Sequence, residues 1–328
     1  MEIDVEGVHQ EVSTGHLPNW SQVQRLVAEA HARTISDDDG AVAGYIPVLA
    51  EADPERFAIC VVSNQGLTAE AGDTADVFSI QSISKAFVYA LACEALGHQL
   101  VLERVGVNNT GLPFNSVVAI ELNAGSPMNP MVNAGAIATT ALLSAADSAQ
   151  RWELVREGLS AFAGRRLEID AQVFASETAT NQRNQALAQL LASYGRLDAA
   201  PAEAVDVYTR QCSLLVSAHD LAVMGATLAG GGVNPVTGMR VVGEQVAHDT
   251  LAVLATAGMY ERSGEWLFEI GLPAKSGVSG GIVAISPGKG AVGTFSPRLD
   301  RAGNSVRGQR AVAFLSRSLG LDIFASAA

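Results

Sequence analysis

The chain has 328 residues, 48% hydrophobic and 17% charged, which suits one large globular unit or two lobes and excludes a disordered or fibrous protein. Its net charge of −13, with no lysine or arginine cluster, argues against a nucleic-acid backbone as partner. No apolar run reaches the roughly 18 residues of a membrane span, and the acidic start Met1–Glu6 lacks a secretory pattern, so a cytoplasmic location is expected.

Trp20 to Arg33 carries Val23, Leu26, Val27 and Ala30 at helical spacing. Phe57 to Val62 is a β-forming apolar run. The turn residues Asn64-Gln-Gly66 follow it, and a hairpin is predicted over 57–71. From Ser84 to about Leu228 the pattern is mainly helical. Segments are predicted at 86–96, 134–146, 152–162, 186–191 and 214–228, with loops at 108–114 and 123–133. Gly230-Gly-Gly-Val-Asn-Pro235 breaks the pattern. Beyond it come a helix over 243–258, short strands at 266–271, 281–286 and 291–296, and an amphipathic helix over 305–319. Pro287-Gly288 joins the last two strands as a hairpin.

The expected fold class is therefore α/β (α+β). An antiparallel sheet, flanked by the first and last helices, is built from both ends of the chain, and an all-helical lobe is inserted between. In residue terms, 1–81 plus 240–328 form the α/β lobe and 82–239 the helical lobe of a single catalytic unit. Cys60, Cys93 and Cys212 are odd in number and far apart, which suits buried thiols better than a disulfide framework. The six histidines and three cysteines show no metal-binding spacing, so no metal site is expected.

Chemistry concentrates first in Phe78-Ser-Ile-Gln-Ser-Ile-Ser-Lys-Ala-Phe87. If a helix opens here, Ser82 and Lys85 share one face, a turn apart. A hydroxyl becomes a useful nucleophile only beside a base, and a lysine amine can serve when desolvation lowers its pKa. The chain holds 18 arginines and only three lysines, and arginine cannot give up its proton near neutral pH. S-x-x-K is nonetheless a short pattern. Its second copy, Ser286-Pro-Gly-Lys289, reads as a turn.

The second informative stretch is Leu272-Pro-Ala-Lys-Ser-Gly-Val-Ser-Gly-Gly-Ile282. Lys275-Ser-Gly277 is similar to the K-[ST]-G element that follows S-x-x-K in penicillin-interacting serine enzymes. A glycine-rich strand edge can present N–H groups to an oxyanion, or it can be a plain turn. Asn133 can cap the helix it opens. Glu177 and Asn184, seven residues apart, lie on one face if a single helix spans them. An acceptor and a carboxamide so placed can hold an ammonium and a carboxylate. Tyr45, Tyr208 and Tyr260 are three of five tyrosines, each either a packed ring or a site hydroxyl.

Taken together, Q-S-x-x-K (81–85), N-P-M-V-N-A-G-A-I (129–137), S-E-x-x-x-x-x-x-N (176–184), G-M-Y (258–260) and L-P-A-K-S-G-V-S-G-G (272–281) resemble the serine-dependent glutaminases in their short bacterial form. That family has a β-lactamase/transpeptidase-like fold and hydrolyses L-glutamine to glutamate and ammonia. The resemblance implies Ser82 as nucleophile and Lys85 as general base. It also implies an oxyanion hole from the Ser82 and Val278 N–H groups, and Glu177 as receptor of the substrate ammonium. Asn133, Asn184 and Tyr45 then contact the substrate's polar ends. Tyr208 and Tyr260 line the nucleophile, with Tyr260 a candidate proton relay. No cofactor is implied, and a homodimer or homotetramer is expected. A penicillin-acylated enzyme and a catalytically silent amino-acid binder are the competing readings.

Overall fold

In the computed structural model, residues 7–9, 11, 15–44 and 46–326 are described. The first helix, α1 (Trp20–Thr34), is N-capped by the Asn19 side chain and buries Val23, Leu26, Val27 and Ala30. The apolar run at 57–62 forms β1 (Ala58–Ser63), buried at all six positions. It hairpins into β2 (Thr68–Gly72). A two-residue strand, β3 (Phe78–Ser79), then enters a 3-10 turn at Gln81–Ile83 that runs without a break into α2 (Ser84–Leu96).

Helices dominate the middle of the chain. They are α3 (His98–Val105), α4 (Val118–Leu122), α5 (Asn133–Leu142), α6 (Ser148–Ala163), α7 (Ala171–Thr180), α8 (Gln182–Ser193) and α9 (Pro201–Cys212). A strand, β4 (Leu215–Val216), pairs with β3, and α10 (Ala218–Ala229) follows. The remainder is α11 (Glu244–Ala257), α12 (Ser263–Ile270), β5 (Ala274–Ser276), β6 (Gly281–Ser286), β7 (Gly290–Phe295) and α13 (Val306–Ser318).

Strands from both ends form one five-stranded sheet in the order β2-β1-β7-β6-β5, antiparallel throughout. Both faces are covered, which explains why β1, β6 and β7 read as continuous apolar runs and not as alternations. Ile59, Val61, Ile282, Ala284 and Val292 face α1 and α13. Ala58, Cys60, Val62, Val283, Ile285 and Ala291 face a second core that contains α10 and α2. The α/β class expected from the sequence is the one observed, with both end helices on one side of the sheet.

Three expectations change. Residues 266–271 are helical, in α12: Trp266 and Ile270 are buried four apart while Phe268 is exposed, a helical period. Gly271, with a positive φ of 72°, ends that helix, and the strand comes later, as β5. The helix expected over 214–228 begins only at Ala218. Ser217 and Asp220 form a capping box there, and the preceding residues pair with β3 instead. Glu177 and Asn184 do not share a helix: α7 ends at Thr180, and Asn184 lies in the first turn of α8.

Gly258 is needed for a close approach. A Cβ on it would lie 1.8 Å from the Ala274 carbonyl oxygen, a backbone atom of β5. Gly258→Ala is expected to displace β5 and to cost about 2 kcal/mol or more. A thermal melt with an unchanged midpoint would contradict this.

Candidate active site

Ser82 sits in the 3-10 turn that starts α2, where the first N–H groups have no partner within the helix. The turn is held from behind. Ser84 Oγ donates to the Gln81 carbonyl (2.8 Å), Gln211 Nε2 donates to Ser84 Oγ (3.2 Å), and Thr140 Oγ1 donates to Gln211 Oε1 (2.9 Å). Gln81, just before the serine, has φ of +51°, in the left-handed region that non-glycine residues rarely occupy.

Lys85 stands one turn further on and is 1% exposed. Its Nζ donates to the Met131 carbonyl (3.1 Å) and to Asn133 Oδ1 (2.7 Å). Phe114 and Tyr208 present their rings to it at 5.7 and 5.9 Å. Among the described residues no carboxylate forms an ion pair with it. Burial lowers its pKa to about 8, even though the Glu177 charge pulls the other way.

Asn133 is the first residue of α5 and does not cap it; the N-cap is Val132, which makes no side-chain cap bond. Its amide instead links three site residues. Oδ1 accepts from Lys85 and from the Tyr208 hydroxyl (3.4 Å), and Nδ2 donates to Asn184 Oδ1 (2.9 Å). Asn184 Oδ1 thereby accepts one bond, and among the described residues the two N–H donors of that side chain have no hydrogen-bond partner. Glu177 Oε1 accepts from Gln81 Nε2 (2.6 Å), which also donates to Ser79 Oγ (3.1 Å). Burial raises the Glu177 pKa to about 7, against the Gln81 hydrogen bond and the Lys85 charge.

The opposite wall comes from the loop after β5. Gly277 is needed there: a Cβ would lie 2.9 Å from the Ile80 carbonyl oxygen and 3.3 Å from Gln81 Cβ. The Gly277–Gly280 turn follows, closed by a 2.9 Å bond from Gly280 N to the Gly277 carbonyl, and Val278 lies within it. Tyr260, at φ +55°, donates its hydroxyl to the Ser276 carbonyl (3.3 Å). Burial pushes that hydroxyl up to about 12, while hydrogen bonding to Ser82 and Ser276 opposes the rise. Lys275 Nζ lies 4.3 Å over the Tyr260 ring, fully buried, and burial together with the Lys85 charge holds its pKa well below the ordinary lysine range.

A cavity of about 160 Å³ brings together Ser82, Asn133, Glu177, Asn184, Tyr208 and Val278. Lys85 and Tyr260 are not among its lining residues. Tyr45 lies outside the described residues. A wider cleft of about 800 Å³ adjoins at Phe114 and Val278, but it holds neither Ser82 nor Glu177. The sequence reading missed two residues that shape the site. Gln81 positions the Glu177 carboxylate, and Phe114 shares the aromatic surround of Lys85. Gln81 stands at the head of the Q-S-x-x-K stretch, but nothing local tells which carboxylate it will hold, and Phe114 lies in a loop with no periodicity.

The family profile described as Glutaminase matches residues 40–324. "Glutaminase 2" of Yersinia pestis is 53% identical over 320 residues, covering 98% of this chain and 94% of that protein. A solved structure described as a probable glutaminase, ybaS, superposes with a TM-score of 0.92 at 45% identity, covering 94% of this chain and 99% of its own. Mglu, crystallised in its glutamate form, superposes with a TM-score of 0.89 at 41% identity, covering 93% of this chain and 71% of its own. The chain belongs to the glutaminase family, hydrolases of an amide C–N bond.

Proposed function

We propose that this enzyme hydrolyses the side-chain amide of free L-glutamine through an acyl-enzyme on Ser82. The observation that carries the reading is one small cavity lined by both Ser82 and the half-buried Glu177, with Lys85 one helical turn beyond the serine. A neutral lysine amine has two N–H bonds and one lone pair. Met131 O and Asn133 Oδ1 take the two N–H bonds; the reading requires the lone pair to reach the Ser82 hydroxyl when substrate is bound.

In this reading Ser82 Oγ attacks the amide carbon as its proton passes to Lys85. The Ser82 and Val278 N–H groups hold the tetrahedral oxygen. The C–N bond breaks, and Lys85, with Tyr260 as relay, returns the proton to the departing ammonia. Water, deprotonated by the same amine, then cleaves the glutamyl ester and frees glutamate and Ser82. Glu177 receives the substrate ammonium. The remaining N–H groups of Asn133 and Asn184 bind its carboxylate, with Tyr208 in the same cavity; Tyr45 is assigned to the substrate by the family resemblance alone. The proposal includes no cofactor, a two-lobe division at 82–239, a homodimer or homotetramer, and a cytoplasmic enzyme.

The test is ammonia release from glutamine against asparagine. Asparagine is one methylene shorter and does not span Ser82 and Glu177 together, so its kcat/KM should fall about 10–200-fold or more below that of glutamine. Added hydroxylamine should divert the acyl-enzyme to the γ-hydroxamate. Release of ammonia from neither substrate overturns the reading.

Two further outcomes follow from the charges. Glu177→Gln removes the partner of a buried ammonium and should raise KM about 100-fold or more, with a smaller effect on kcat. Below pH 7, kcat/KM should climb steeply, because Glu177 must ionise (about 7) and Lys85 must lose its proton (about 8). Between those values only Lys85 still titrates, so the slope should halve, and above about 8 the curve should level. A profile that falls from pH 7 to 9 refutes the lysine assignment.

A further inference from the structure

We propose that Cys60, Glu70 and His219 form a binding site for a zinc-class divalent transition-metal ion, separate from the amide-hydrolysing cavity. Cys60 on β1 and Glu70 on β2 are direct partners in the antiparallel register, so their side chains leave the same face of the hairpin. That face is covered by α10, whose second residue is His219. Among the described residues this is the one group of three such side chains with converging ligand atoms.

The distances fit the assignment. Metal bonds of about 2.0–2.3 Å in tetrahedral geometry put ligand atoms about 3.3–3.6 Å apart. Cys60 Sγ lies 3.6 Å from Glu70 Oε1 and 3.9 Å from His219 Nδ1. His219 Nδ1 and Glu70 Oε1 are 2.8 Å apart, a hydrogen bond that must open by about half an ångström to admit an ion. One thiolate, one imidazole and one carboxylate are the donors a borderline-soft ion takes. The Cys60 proton leaves to solvent on binding, and the dication is then neutralised by the thiolate and the carboxylate. Cys60 is fully buried, while the His219 and Glu70 side chains are 40% and 39% exposed, so water can reach the fourth position.

No sequence spacing reveals this site. Glu70 is 10 residues from Cys60 and His219 is 159 residues away. The β1–β2 turn and the docking of α10 bring them together. An ion there clamps the edge hairpin of the sheet to its central covering helix. The expected consequence is stability, not chemistry.

The test uses tag-free, full-length protein stripped with a chelator and titrated with Co²⁺. One equivalent should bind and give a near-ultraviolet thiolate-to-cobalt charge-transfer band, which Zn²⁺ then erases. Cys60→Ser should lose the band, His219→Ala should weaken binding about tenfold or more, and both should keep basal glutaminase activity. Zn²⁺ at about a hundredfold excess over Kd should raise the wild-type Tm by about 4 °C and leave that of Cys60→Ser unmoved. Glu70→Gln and His219→Ala alter half-exposed side chains and supply the same readout should Cys60→Ser fold poorly. No band in the wild-type protein, or a band that survives Cys60→Ser, overturns the site.

Discussion

Ser82→Ala is expected to lower kcat for glutamine about 10⁴-fold or more while glutamine still binds. In the proposed mechanism the hydroxyl supplies the only bond-forming atom of the acylation step, and its removal should leave the rest of the cavity in place. Glu177 remains fixed by Gln81, and Asn184 remains fixed by Asn133. The alanine fits because Ser82 Oγ is not among the hydrogen bonds that brace the turn; Ser84, Gln211 and Thr140 supply those. Calorimetry on the variant should therefore give a glutamine Kd within a few-fold of the wild-type value, beside an ammonia rate near background. The hydroxamate formed from the wild-type enzyme should vanish with it. Normal turnover by Ser82→Ala would falsify the nucleophile assignment. Loss of both binding and turnover would instead mean that the hydroxyl holds the pocket together.

The site depends on two groups whose environments push their pKa values toward each other. Glu177 rises to about 7 and Lys85 falls to about 8, both chiefly through burial. Near neutrality the empty pocket therefore holds a half-ionised carboxyl and a lysine that is still mostly protonated. In the proposed binding mode the substrate's own ammonium would keep Glu177 ionised, because an opposite charge within a few ångströms favours the carboxylate. Free amino acids are thereby favoured over N-blocked ones, which bring no cation to the pocket. The strain at Gln81 has its place in this scheme. Its left-handed backbone turns the amide so that Ser79 and Glu177 accept its two N–H bonds, just where the chain hands over to Ser82.

Parts of this were legible in the residues alone, and the reason is locality. Ser82 and Lys85 are three apart at a helix start, so their relation needs only the helical period. The hairpins at 57–71 and 281–296 need only apolar runs and turn residues. What the spacing misjudged depends on contacts made elsewhere. Residues 266–271 look like a strand until Trp266 and Ile270 both find the core formed by α1 and α13. Glu177 and Asn184 look like one helical face until the chain breaks at Asn181. Asn133 looks like a cap, yet its side chain is taken by Lys85 and Asn184. The approach of His219 to Cys60 follows from the docking of α10 on the sheet, which no local pattern encodes.

Lys85→Arg should lower kcat about 10³-fold without unfolding the protein, the loss expected when a general base is removed. The guanidinium keeps the positive charge and can still donate to Met131 O and Asn133 Oδ1, but it cannot become neutral at any working pH. Lys85→Ala removes charge and base together and so cannot separate the two roles; the arginine variant can. The site is also tight, since Phe114 and Tyr208 flank the lysine. A thermal melt must therefore accompany the assay, and a Tm within a few degrees of wild type shows that the larger head group has been accommodated. The decisive readout is the pH profile of the residual activity. With lysine in place, kcat/KM should rise through about 8 as the amine loses its proton. With arginine, that rise should disappear, and what remains should follow Glu177 alone, levelling near 7. A variant that is slow but keeps the rise through 8 would assign the base to another group, and Lys275, buried against Tyr260, would be the next residue to replace.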